Sequence, residues 1–137
     1  MTADNSLLQW GLGSVLASLA LHGGIVRAAT ETMQIFQTSP VAGFQYHAGP
    51  ALFPLMRVGD PLRLIREPDN PHDPRAVGIY WRGAQIGYAP RLDNQDLARF
   101  MDKGHRLEGR ILHLQRTRDP WKRVLMEIVI VEAAENP

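Results

Sequence analysis

Apolar residues from Leu62 onward recur mostly with a period of two, in short runs that proline, glycine or aspartate cut off. A period of two sends successive side chains to opposite faces, so most of the chain is committed to β-strands. Leu62-Arg63-Leu64-Ile65-Arg66 alternates and stops at Pro68. Val77, Ile79 and Trp81 share one strand face, Arg82-Gly83 supplies a turn, and Gln85 to Ala89 returns as the second arm of a hairpin ended by Pro90. Leu107 to Gln115 reads as a strand with Leu107, Ile111 and His113 on one face. After the turn at Thr117-Arg118-Asp119-Pro120, Val124 to Glu132 is apolar at nearly every position, the mark of a central strand. A short strand around Ile35 and Phe36 ends at Thr38-Ser39-Pro40.

Two segments break the β pattern. Pro50 to Met56 is a helical turn entered through Gly49-Pro50. A helix capped by Asp93 or Asn94 carries Leu97, Ala98, Phe100 and Met101 and is closed by Gly104. About six short strands and two short helices in roughly one hundred residues make the expected fold mainly β, a small OB-like β-barrel.

The first thirty residues do not fit that pattern. Leu7 to Val26 is apolar, interrupted by glycines and serines. One reading is a secretory signal, with Val26 and Ala28 at the cleavage positions, although Asp4 stands where a signal carries positive charge. The other is a retained amphipathic helix capped by Ser6, with Leu8, Leu12, Val15, Leu16 and Leu19 at helical spacing. The broken run falls short of the roughly 20 apolar residues that a membrane span requires, so no integral span is expected. The expected organisation is an apolar segment over 1–32, one domain over 33–132 and a tail over 133–137. A cleaved signal would place the domain in the periplasm or outside the cell; a retained segment would leave it in the cytoplasm.

The net charge of +1 over 137 residues identifies no partner, but its distribution is uneven. Lys103 to Arg123 holds seven Lys or Arg against Glu108 and Asp119, a local charge of +5 in a chain that is otherwise net acidic. Such a stretch attracts phosphate or forms a solvated face. The absence of cysteine excludes disulfides, thiolate metal sites and a Cys nucleophile.

Chemistry concentrates in two places. The loop Arg66-Glu67-Pro68-Asp69-Asn70-Pro71-His72-Asp73-Pro74-Arg75 packs an amide, an imidazole, carboxylates and two guanidiniums between two strands. Gly43-Phe44-Gln45-Tyr46-His47-Ala48-Gly49 places an aromatic beside an imidazole. Tyr46 either stacks on a base or fills the barrel wall. Asn70 and Asp73 either meet a ligand or make the Asx bonds of a turn before proline. Arg66 and Arg75 either hold phosphate or pair with the neighbouring acids. His47, His72 and Asp73 are also metal-ligand types, but His72 and Asp73 are adjacent and no HExxH, paired CxxC or EF-hand spacing is present. No GxxxxGK[ST] or GxSxG motif accompanies them, so neither an ATP motor nor a serine hydrolase is indicated, and no cofactor is expected.

The run from Val41 to Gly49, then Gly59-Asp60-Pro61-Leu62 with Arg66 to Asp73, then Ala76-Val77 and Ile86-Gly87-Tyr88-Ala89-Pro90, resembles the HIRAN domain family. That module occurs at the N-terminus of helicases of the helicase-like transcription factor type and as stand-alone bacterial proteins. The resemblance implies a modified OB-like barrel that binds single-stranded DNA, with a pocket for a free 3′ end. It implies ligand contacts at Gln45, Tyr46 and His47 and at Asn70, His72 and Asp73, with Arg66 and Arg75 beside phosphates. Gln45 stands where the helicase version has an arginine, and His47 and His72 where it has tyrosines. The expected function is a non-catalytic nucleic-acid-binding module, with a helicase or nuclease as a conceivable protein partner. The alternatives are an exported barrel binding a peptide or envelope component, and a metal-assisted hydrolase.

Overall fold

The computed structural model describes residues 30–134, so residues 1–29 of the expected apolar segment over 1–32, with the signal or helix reading placed on it, and the last three residues lie outside the description. Strand β1 (Glu31–Pro40) is followed by a 3-10 turn at Phe44–Tyr46, helix α1 (Gly49–Leu52) and a second 3-10 turn at Phe53–Leu55. Then come β2 (Pro61–Glu67), β3 (Ala76–Trp81), β4 (Ala84–Tyr88), helix α2 (Asn94–Asp102), β5 (Arg106–Leu114), a 3-10 turn at Pro120–Lys122 and β6 (Val124–Ala133). No helix among the described residues is long and apolar enough to cross a membrane.

The six strands form one antiparallel sheet in the order β1-β6-β5-β2-β3-β4. Strand β2 turns the sheet. Pro61 and Leu62 pair with β5, whereas Arg63 to Glu67 pair with β3. Three bulges, at Phe36, Ile86 and Leu112, add curvature. The ladder does not close, but its two ends meet at one bridge. Ala42 N–H donates to the Tyr88 carbonyl at 2.8 Å, and Tyr88 N–H donates to the Ala42 carbonyl at 2.9 Å. This is the mainly β, OB-like architecture the sequence pattern predicts.

Strand β6 sits between β1 and β5 and is buried almost throughout, as its apolar run requires. Its one buried charge, Glu127, is paired with Arg110 of β5. The core joins Ile128, Met126, Ile79 and Ile86 from the sheet to Leu97 and Ala98 of α2 and to Phe44. The β3–β4 hairpin turns on Arg82 (φ 46°) and Gly83 (φ 81°), both left-handed as a two-residue turn demands. Gly104 (φ 87°) ends α2, with His105 N–H donating back to the Phe100 carbonyl at 3.1 Å.

Three expectations need correction. Strand β1 begins at Glu31 and runs far beyond Ile35 and Phe36; its first five residues are exposed at a sheet edge, so burial leaves no period-two trace there. His113 does not share the buried face of Leu107 and Ile111, because the bulge at Leu112 shifts the phase of β5 and leaves His113 exposed. Asp93 occupies the N-cap of α2 without a side-chain cap bond, and the Asn94 amide is diverted to Asp73.

Asp60 illustrates how a loop carboxylate ties the barrel. It accepts hydrogen bonds from the Trp81 indole at 2.9 Å and the Arg57 backbone N–H at 2.8 Å. The bond from Trp81, then that from Arg57, hold its pKa below the usual 3.8 against some burial. A folded pKa below the unfolded one stabilises the fold above about pH 4, and this contribution disappears as pH falls through the folded value. Asp60→Asn should therefore melt below wild type at pH 7, with the gap narrowing as pH drops below 3.8. Thermal melts across that range measure it.

Candidate nucleic-acid interface

The polar loop is rigid because its own side chains bond its backbone. Pro71 has no N–H, so the Asn70 Oδ1 accepts instead from His72 N–H at 2.9 Å and Asp73 N–H at 3.3 Å. The Asn70 amide donates to Glu67 Oε1 at 3.2 Å. Asp73 accepts from Arg75 N–H at 2.9 Å and from the Asn94 side chain at 2.7 Å, which anchors the loop to the start of α2. Arg91 lies 3.8 Å from the Asp73 carboxylate and donates to the His72 carbonyl at 2.7 Å. Burial pulls the Asp73 pKa upward. The bonds from Arg75 and Asn94, with the Arg91 and Arg75 charges, outweigh it and hold the group below 3.8. Asp73 is therefore an anion at neutral pH.

Asn70, His72 and Asp73 form one side of a cavity of about 270 Å³. Tyr88, Arg91 and the backbone at Ala42–Gly43 form the other. Its size is just below the roughly 300–1,000 Å³ of pockets for drug-sized ligands.

The aromatic motif rises from the rim of that cavity. Gly43 (φ 69°) turns the backbone into the 3-10 turn Phe44–Tyr46. Phe44 is buried against Gly49, where a Cβ would collide with the Phe44 ring. This inward anchor sends Gln45 and Tyr46 outward, and Tyr46 is 81% exposed. Tyr46 is thus not a barrel-wall residue. His47 folds back: its Nδ1 is 2.8 Å from the Gly43 carbonyl, and its ring meets the Tyr88 ring edge-on at 5.5 Å. A carbonyl only accepts, so His47 Nδ1 carries a proton and donates.

The 3-10 turn Pro120–Lys122 packs beside the turn that carries Tyr46. It presents Trp121, 52% exposed, with its N–H capped by Asp119 at 3.1 Å. Arg116, Arg118 and Lys122 are close to it in sequence and have no ion-pair partner among the described residues. The local excess of positive charge thus lies partly on the hairpin nearest the exposed aromatic.

Of the eight residues singled out by sequence, Asn70, His72 and Asp73 line the cavity, His47 packs edge-on against the cavity-lining Tyr88, and Gln45 and Tyr46 stand on the adjoining turn. Arg66 and Arg75 do not join them. Arg66 makes a two-pronged pair with Asp102 at 3.0 and 3.2 Å, and Arg75 bonds Gln95 at 3.2 Å; both line a separate shallow groove along α2. Sequence reasoning missed Tyr88, Arg91 and Trp121 as site residues. Tyr88 lies within the Ile86 to Pro90 motif, Arg91 follows it, and Trp121 lies in the basic stretch, so each had a signal in or beside it. Among the described residues, no group of three or more His, Asp or Glu is placed to hold a metal ion.

Fold and site together define an OB-like β domain with a small cavity beside an exposed aromatic turn. Residues 35–132 match the model of the HIRAN domain, and the chain belongs to that family. HIRAN domains are in general DNA-binding modules. The crystal structure of a Lactobacillus plantarum protein, from a structural genomics consortium, superposes with a TM-score of 0.68 at 28% identity. It covers 75% of this chain and 99% of that one. The crystal structure of the HIRAN domain of human HLTF superposes with a TM-score of 0.58 at 20% identity, over 74% of this chain and 81% of that one, a likeness of fold. No curated protein matches the chain.

Proposed function

We propose that this domain is a non-catalytic module that binds single-stranded DNA and takes the terminal nucleotide of a free 3′ end into the cavity. The observation that carries the reading is a juxtaposition. A cavity sized for one unit is walled by Gly43, and the turn that starts there carries Tyr46 and packs beside the turn that carries Trp121. Each exposed ring offers a π-face to a base of any sequence, worth roughly 1–3 kcal/mol per stacked base. His72 adds a further flat surface at the cavity, with no hydrogen bond to its ring among the described residues. Arg91 supplies an exposed guanidinium for a phosphate. The ionised Asp73 favours a sugar hydroxyl over a phosphate as its neighbour. The 3′ polarity follows the family resemblance at Asn70, His72 and Asp73.

The basic hairpin would carry the phosphates that lead to the cavity. Each neutralised phosphate of a single strand adds about 0.7 to the slope of log K against log salt. The triple variant Arg116→Ala, Arg118→Ala, Lys122→Ala should flatten that slope by about 2 and leave the melting temperature near wild type. Anisotropy titrations of a labelled oligothymidylate over a range of salt measure it; an unchanged slope removes the hairpin from the interface.

A further inference from the structure

We infer that Glu67 is a positioning residue that sets the hydrogen-bond polarity of the end cavity, so that the cavity selects a terminal hydroxyl over a terminal phosphate. The inference rests on the end-binding reading above. Glu67 ends β2, at the entrance to the polar loop. Its Oε1 accepts from two cavity-lining groups, the Tyr88 hydroxyl at 3.1 Å and the Asn70 amide at 3.2 Å. Its Oε2 is buried with no hydrogen-bond partner among the described residues.

The surroundings hold it in place. A Cβ on Gly78 would lie 2.7 Å from Oε2, so the carboxylate rests directly on the β3 backbone. Tyr80 lies against the same spot. Burial first, then the Glu67 charge and Tyr88, push the Tyr80 phenol pKa upward.

The consequence follows from donor and acceptor inventory. A carboxylate only accepts, so the Tyr88 hydroxyl must give its single hydrogen to Glu67. What Tyr88 retains for a ligand is acceptor capacity. Asn70 uses its oxygen on two loop N–H groups and one amide hydrogen on Glu67, leaving the other hydrogen as a donor. A ligand group that donates to Tyr88 and accepts from Asn70 satisfies both, and a hydroxyl does so. An ionised phosphate offers acceptors only and leaves Tyr88 facing like-signed lone pairs.

The test uses the full chain and a short labelled oligothymidylate ending in either a 3′-hydroxyl or a 3′-phosphate. Wild type should prefer the hydroxyl by about tenfold, the effect of one mismatched hydrogen bond. Glu67→Leu removes both acceptor oxygens, so the Tyr88 hydroxyl is released to donate to phosphate. The preference should fall to about threefold or less, with phosphate-ended binding no weaker than wild type. Tyr88→Phe, which removes the hydroxyl, should lose the preference in the same way and keeps the inference testable if Glu67→Leu fails to fold. Equal weakening of both oligonucleotides in the two variants would reduce Glu67 to a structural role and overturn the inference. So would wild-type binding without any preference. Failure of wild type to bind either oligonucleotide would instead overturn the end-binding reading on which it rests.

Discussion

Gly87→Ala is expected to lower stability by about 3 kcal/mol or more, or roughly 12 °C or more in melting temperature for a domain of this size. Two independent causes converge on that position. Gly87 adopts φ +153°, a conformation essentially reserved for glycine. A Cβ built there would also collide with the Ala42 carbonyl and lie 2.6 Å from Val41 Cγ1. Neither neighbour can retreat cheaply. Val41 is buried, and Ala42 makes the two-bond bridge to Tyr88 that joins the ends of the sheet. Relief would require breaking that bridge, which would also move the Ala42–Gly43 wall of the cavity. Thermal unfolding measures the effect, and a variant melting within about 2 °C of wild type would show that the bridge does not hold the barrel together.

Tyr46→Ala should leave the melting temperature unchanged and weaken binding of a short single-stranded oligonucleotide by about 5- to 150-fold. That range corresponds to one stacked base at roughly 1–3 kcal/mol. Stability should be spared because the ring is 81% exposed, while Phe44 anchors the turn beneath it. Tyr46→Phe keeps the π-face and should retain most of the affinity. Parallel anisotropy and melting experiments separate the effects. Loss of affinity together with stability would mean that the ring supports the turn rather than the ligand.

What the sequence revealed and what it hid divide along a physical line. Val77, Ile79 and Trp81, or Val124 to Val131, announce their strands because one face or both are buried. Strand β1 announced itself poorly, since residues from Glu31 to Ile35 are exposed at an edge where polar and apolar residues are equally tolerated. Bulges defeat pattern reading for a related reason. One extra residue at Leu112 reverses which face His113 takes, and nothing local marks it. The site shows the same contrast. Asn70 and Asp73 belong to one contiguous loop and were legible as a unit. Arg66 looked equally available, but its partner Asp102 lies 36 positions away on α2. Tyr88 ends the β3–β4 hairpin and Arg91 follows it, both completing the cavity, and the turn of Trp121 packs beside that of Tyr46 from much further along the chain. Only the folded chain brings these together.

The central claim is that the domain grips an end. The most direct measurement compares its affinity for one single-stranded DNA sequence as a linear strand with a free 3′-hydroxyl and as a covalently closed circle. Both offer the same bases and phosphates to Tyr46, Trp121 and the basic hairpin, but the circle has no terminus to enter the cavity between Asn70, Asp73 and Tyr88. The account predicts that the linear strand binds about tenfold tighter or more, one terminal nucleotide's worth of specific contacts. Equal affinity for the two would contradict it.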